Sequence, residues 1–177
     1  MYRHIHYQSI EQALSIIKSG QRVFVQGSAQ TPLYLLRELA KQAHRLEKVE
    51  LVFITVHGDI VVDRPEYEGI FNINCMFVSN SVRKAVNEGR ADFIPVFLSD
   101  IPDLFNKGYL PIDVALVHVS PPDKHGYCSL GVSVDIARSA VNRAKYIIAQ
   151  VNPNVPRTHG DSLIHTDRFT SMVYCEE

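Results

Sequence analysis

Residues 114–135 constrain this chain more than any other stretch. An apolar run, Val114 to Val119, stops at Ser120-Pro121-Pro122. Turn-forming residues follow as far as Gly131, and then Ser133-Val134-Asp135 opens a helical pattern that runs to Ala144. A buried strand that halts at two prolines and returns as a helix places the intervening loop at the strand's carboxyl end. In open α/β sheets ligands bind at that end.

The same grammar recurs along the chain. Strands are expected at 22–26, 49–56, 73–78, 93–97, 112–119 and 146–151, with short ones at 162–165 and 170–174. Helices are expected at about 10–17, 32–44, 80–89, 99–108 and 133–144. Thr31 is read as the N-cap of the second helix, followed by proline at the first helical position. The stretch 57–70, with Gly58, Pro65 and Gly69, reads as loop. Near-continuous apolar strands alternating with helices predict an α/β fold with a mainly parallel open sheet and helices on both faces. No repeat or composition shift divides the 177 residues, so 1–177 is read as a single α/β domain.

Composition excludes several classes. A net charge of -1 leaves no electrostatic footprint for nucleic acid or an anionic membrane surface. No apolar run approaches a membrane span, and the start at Met1-Tyr2-Arg3-His4 lacks a signal-peptide core. Cys75, Cys128 and Cys175 are odd in number and far apart, which fits neither a disulfide framework nor a zinc ribbon and points to a reducing cytoplasm. The histidines are scattered, His4-x-His6 is read as solvated, and no metal site is expected.

Two loops can carry chemistry. The first, Gln26-Gly27-Ser28-Ala29-Gln30-Thr31-Pro32, runs into a helix N-terminus, where backbone N–H groups can face a carboxylate or phosphate. A single glycine is a weak form of a phosphate-loop signal, so a plain tight connection is the first reading and an anion turn the second. The second loop runs from Ser120 to Gly131. Pro121 and Pro122 pre-set its backbone, Gly126 permits positive φ, and Tyr127, Ser129 and Asp123 offer polar groups. Here a ligand loop and a rigid wall against another domain stand level. His125 and Cys128, three apart, invite a Cys/His nucleophile reading, but no third orienting group is placed and a packed cysteine is preferred. Asp135 is read as favouring the last helix's dipole. Thr158-His159-Gly160-Asp161 is read as a structural turn.

Several segments together resemble the N-terminal domain of the acetyl-CoA hydrolase/transferase family, and among its members the 4-hydroxybutyrate CoA-transferases. They are Ile17-Lys18-Ser19-Gly20-Gln21-Arg22-Val23, Thr31-Pro32, Arg64-Pro65-Glu66-Tyr67, Phe93-Ile94-Pro95-Val96-Phe97, Val119-Ser120-Pro121-Pro122-Asp123 through Ser133, and Gln150-Val151-Asn152 with Val155-Pro156 and Gly160-Asp161. The resemblance covers nearly the whole chain in order.

It implies the first of two similar α/β domains, of the kind shared with sugar-phosphate isomerases, and coenzyme A as a substrate with no tightly bound cofactor. It also implies ping-pong transfer through a glutamyl-CoA thioester on a glutamate of the second domain. No glutamate here stands in that context, so no catalytic residue is carried over, and the chain alone is expected to be inactive. By matching position, Gly27, Ser28, Pro121, Pro122, His125, Gly126, Tyr127, Cys128 and Ser129 are expected to line the first domain's side of the cleft. The implied partners are an acyl-CoA, a carboxylate such as acetate, butyrate or 4-hydroxybutyrate, a C-terminal domain or second subunit, and further copies of the full enzyme. The alternatives are one chain of a two-chain transferase, a non-catalytic module binding an acyl or phosphate ligand at the Gly27 turn, and a sugar-phosphate isomerase, for which base and phosphate-binding residues are missing.

Overall fold

A computed structural model describes residues 6–177; His4 lies outside the described residues and His6 is exposed. Among the described residues nine strands and five α-helices follow in order. They are α1 (Ile10–Leu14), β1 (Arg22–Val25), α2 (Leu33–Lys41), β2 (Val49–Phe53), β3 (Phe71–Cys75), α3 (Asn80–Asn87) and β4 (Ala91–Phe93), then α4 (Ile101–Asn106), β5 (Val114–Val119), β6 (Tyr127–Ser129), α5 (Ala137–Arg143), β7 (Tyr146–Val151), β8 (Leu163–His165) and β9 (Ser171–Tyr174).

Seven strands form one parallel sheet in the order β4-β3-β2-β1-β5-β7-β9. The chain starts at the centre, steps outward through β2, β3 and β4, then crosses back beside β1 and steps the other way. Right-handed crossovers in opposite directions put helices on opposite faces. Leu35, Leu36 and Leu39 of α2, Val82 and Ala85 of α3, and Ala13 and Leu14 of α1 fill one core with Val23, Val25, Leu51 and Ile73. Ile101 and Phe105 of α4 and Ala137, Ala140 and Val141 of α5 fill the other, with Phe24, Val52, Ala115 and Val117. Phe24 and Phe105 meet edge to face at 6.0 Å, and burying each such ring contributes roughly 1.5–3 kcal/mol. This is the architecture that the alternating pattern predicts.

The differences are local. The strand expected at 93–97 is β4, Ala91–Phe93, because Pro95 brings no N–H and Ile94 makes the last bond, to the Cys75 carbonyl at 2.9 Å. The third strand lies two residues earlier than expected, at Phe71–Cys75, with Asn72 and Asn74 alternating against Phe71, Ile73 and Cys75. A half-polar alternation reads weakly in a sequence when buried strands are sought. The last helix begins at Ala137, not Ser133, and Asp135 Oδ1 accepts the Ile136 and Ala137 N–H groups at 2.5 and 3.3 Å. The first helix ends at Leu14 rather than Ile17.

Thr31 does not cap α2. Its hydroxyl donates to the Ser28 carbonyl at 2.8 Å and accepts from His57 N–H, so it braces the loop instead. Pro32 occupies the N-cap position without a side-chain bond, and Gln150 Oε1 on β7 takes the Leu35 N–H at 3.4 Å.

Candidate functional site at the sheet's switch point

The strand order reverses between β1 and β5, and the two loops singled out in the sequence leave the carboxyl ends of those two strands. Neighbouring loops that diverge in opposite directions open a crevice, the usual ligand position in open α/β sheets.

Three polar side chains floor that crevice. Gln26 is fully buried. Its amide donates to the carbonyls of Leu130 and Ser133 at 2.9 and 2.8 Å, and its Oε1 accepts the His118 N–H at 2.8 Å. This continues the β1–β5 ladder just past its last register pair, Val25 with Leu116. Gln30 Nε2 reaches the His118 carbonyl at 3.3 Å. Both main-chain groups of His118 are therefore held by side chains of the first loop.

The His118 imidazole completes the floor. Nε2 lies 3.0 Å from Asn152 Nδ2, which makes Nε2 the acceptor and fixes the tautomer. Nδ1 is buried without a hydrogen-bond partner among the described residues. Burial pushes the imidazole pKa down to about 4. In the unfolded chain His118 gains a proton near its ordinary value of 6.5; in the fold it stays neutral until about pH 4. The unfolded state thus binds more protons between those limits, and stability falls as pH drops through that window. Relative to His118→Gln, the wild-type chain is expected to lose about 2 kcal/mol between pH 7 and pH 4, after discounting for partial exposure. Urea denaturation of both proteins at the two pH values measures the difference; parallel loss in both would contradict it.

The first loop turns on Gly27 and Ser28. Gly27 is buried, and a Cβ there would lie 2.5 Å from the Thr55 carbonyl oxygen and 2.9 Å from Ile54 Cγ2. The glycine therefore lets β1's extension pass close to the end of β2. Ser28 takes φ +54°, donates its N–H to the Thr55 carbonyl at 3.0 Å, and pairs its hydroxyl with Thr55 Oγ1 at 3.0 Å.

The second loop is a folded-back ribbon. Tyr127–Ser129 form β6, antiparallel to β8, so the expected turn contains a strand, and the strand expected at 162–165 joins it outside the main sheet. Asp123 is its hub: Oδ1 accepts the N–H groups of His125 and Tyr127 at 2.9 Å, and Oδ2 pairs with Arg157 at 2.7 Å. The bond from Tyr127, then that from His125 and the Arg157 charge, hold this carboxyl below its ordinary pKa. Ser129 is fully buried, and its hydroxyl serves Gly131 N–H, Thr158 N–H, Thr158 Oγ1 and Ser162 Oγ. Thr158 in turn donates to the Gly131 carbonyl at 2.7 Å, so the 158–161 turn braces the loop. Gly126 takes φ +84° directly against the His165 ring, which also meets Tyr127 edge to face at 5.0 Å.

Pro121 and Pro122 are half-buried at the mouth, and His125 is exposed. Cys128 faces the core, and burial pushes its thiol up to about 12. A thiol in that state is not a nucleophile at neutral pH. Ellman's reagent at pH 8 is expected to titrate Cys175 slowly in the folded chain, with Cys75 and Cys128 reacting only in denaturant; fast reaction of a second thiol would show an open core.

The sequence reading did not single out His118, and it met Gln26, Gln30, Gln150 and Asn152 only as members of quoted segments. The available signal was a polar residue near the carboxyl end of three otherwise apolar runs. Gln150 and Asn152 also hold Glu177: Gln150 Nε2 lies 3.5 Å from its carboxylate, and Asn152 and Asn154 donate to its carbonyl at 3.2 and 2.9 Å. Arg37 pairs with the same carboxylate. Among the described residues no three or more His, Cys, Asp or Glu side chains are grouped to hold a metal ion, and no helix is long and apolar enough to cross a membrane.

Residues 3–177 match the model of the acetyl-CoA hydrolase/transferase N-terminal domain. The chain belongs to the acetyl-CoA hydrolase/transferase family. It is similar to a succinyl-CoA:acetate/propanoyl-CoA:succinate CoA transferase of Fasciola hepatica, 42% identical over 164 residues that cover 92% of this chain and 34% of that protein. It is equally similar to the 4-hydroxybutyrate coenzyme A transferase of Clostridium kluyveri, 42% identical over 163 residues, 92% of this chain and 38% of the relative. Among solved structures, RipA from Yersinia pestis superposes with a TM-score of 0.87 at 27% identity, covering 97% of this chain and 42% of RipA. The chain thus spans little more than a third of the curated family relatives it matches.

Proposed function

We propose that this chain is the N-terminal α/β half of a cytoplasmic CoA-transferase that moves CoA between a short-chain acyl-CoA and a carboxylate such as acetate, succinate or 4-hydroxybutyrate. The observation that carries the reading is the family match over 3–177, with both sequence-marked loops flanking the one crevice where the strand order reverses. The rigidity of the second loop supports a wall rather than a moving part: proline, a fully bonded Ser129 and the Asp123 hub hold it.

The proposed chemistry begins with attack of a glutamate carboxylate, supplied by the second half, on the thioester carbonyl. The CoA thiolate leaves, and the product is a mixed anhydride. Thiolate then attacks the glutamyl carbonyl, forming the glutamyl-CoA thioester and releasing the first carboxylate. The second carboxylate repeats both steps in reverse. Splitting one acyl exchange into such steps is ordinary covalent catalysis. Residues of this half bind and orient. The Ser28 and Pro121–Tyr127 segments line one wall, and neutral His118 with Gln26 and Gln30 sets the distance between the loops. Three candidate nucleophiles of the second loop are engaged: Cys128 is buried in the core, the Ser129 hydroxyl is fully bonded, and Asp123 is committed to its loop and Arg157.

The purified 177-residue chain is expected to show no CoA transfer from acetyl-, butyryl- or succinyl-CoA to a second carboxylate. Transfer, with a hydroxylamine-sensitive enzyme-CoA thioester, is expected once the second half is supplied. Turnover by the chain alone would overturn the assignment. Tight binding of an acyl-CoA or a phosphate ligand, with no transfer in either form, would favour the binding-module reading.

A further inference from the structure

Phe93-Ile94-Pro95-Val96-Phe97-Leu98 is six consecutive apolar residues at the outer edge of the sheet, and the crevice does not use them. Phe93, Phe97 and Leu98 are 48%, 78% and 49% exposed, and Phe77, two residues past Phe93's register partner Cys75, is 41% exposed. The two segments are tied at the end of the ladder, where Cys75 is the register partner of Phe93 and accepts the Ile94 N–H. Helix α4 does not cover them, because its buried residues, Ile101 and Phe105, face the core. Ile94 and Val96 of this segment pack against the core, and the exposed aromatic and aliphatic side chains between and beyond them mark an edge made for contact.

We propose that Phe77, Phe93, Phe97 and Leu98 form the docking face for the second half of the enzyme, an apolar surface of which closes over the crevice from the β4 side. The inference rests on the CoA-transferase reading. The matched relatives carry roughly three fifths of their length beyond the region shared with this chain. The docking face lies at the same carboxyl end of the sheet as the crevice. Crevice and face are separated by β1, β2 and β3, about 15–20 Å at ~4.8 Å per strand. A second unit of this chain's size is roughly 40 Å across, so one that covers the crevice also reaches Phe97.

Hydrogen exchange by mass spectrometry, on the 177-residue chain and on the complete enzyme, tests this. The amides of Val96, Phe97 and Leu98 are expected to exchange at least tenfold more slowly in the complete enzyme and to exchange fast in the chain alone at every concentration. Phe97→Asp, at a largely exposed position, is expected to leave the melting temperature of the 177-residue chain unchanged and to lower CoA transfer by the complete enzyme at least tenfold. Equally fast exchange in an enzyme that transfers CoA would overturn the docking face and leave the functional reading standing. Protection that appears in the chain alone as its concentration rises would overturn it in favour of a second copy. Protection in a complete protein that transfers no CoA would keep the docking face and remove the functional reading.

Discussion

Gln26→Leu is expected to destabilise the folded chain by about 4 kcal/mol. The side chain is similar in volume, so packing is largely kept, but three backbone groups lose their partners at once: the carbonyls of Leu130 and Ser133 and the N–H of His118. Each buried group left unbonded costs roughly 1–3 kcal/mol. Their positions explain why water cannot easily take over, since Leu130 is fully buried and Ser133 nearly so. The loss is also structural in a directed way. Gln26 is the tie between the end of β1 and the segment that closes the Ser120–Gly131 loop, so the two loops separate when it is cut. Urea denaturation measures the stability term. On the proposed function, CoA transfer by the complete enzyme is expected to fall at least tenfold, with a rise in KM for the acyl-CoA. A loss below 1 kcal/mol would mean that the crevice floor is not held by this amide.

Gly27→Ala is the second large effect, at about 3 kcal/mol. The added methyl meets the Thr55 carbonyl oxygen at 2.5 Å and Ile54 Cγ2 at 2.9 Å, and the first of these is backbone, which cannot swing aside as the tip of a side chain can. Overpacking against such a neighbour costs typically 1–3 kcal/mol, at the upper end where nothing can move aside. The contrast is Gly20, which has φ +76° but open space around its Cα. Gly20→Ala is expected to cost about 1 kcal/mol, from backbone strain alone. Thermal denaturation of the two variants separates a crowded site from a strained one. Equal effects would refute the close approach of the β1 and β2 extensions.

The fold was largely legible because each cue was local. Apolar runs of strand length, the Pro121-Pro122 stop, and helix stripes such as Leu35, Leu36 and Leu39 are written in single segments. The misplacements fall where tertiary context overrides a local rule. Thr31 has the chemistry of an N-cap, but the neighbouring Ser28 carbonyl and His57 N–H claim its hydroxyl. Tyr127–Ser129 sits among turn residues, yet it becomes a strand because Leu163–His165 comes back to pair with it. Asn72 and Asn74 blurred a strand whose other face is fully apolar.

The site divides the same way. The sequence alone determined the parallel α/β class, the two loops at strand ends and the family pattern that runs through them, because strand endings and turn residues are properties of contiguous chain. Only the tertiary structure decided that β1 and β5 are neighbours, so that those loops share one crevice. It alone decided that Gln26, His118 and Asn152 meet beneath it, that Cys128 is sealed in the core, and that Phe97 projects from the sheet edge. Those facts depend on strand order and on which face each residue takes, and separations of 92 residues between Gln26 and His118 leave no trace in local pattern.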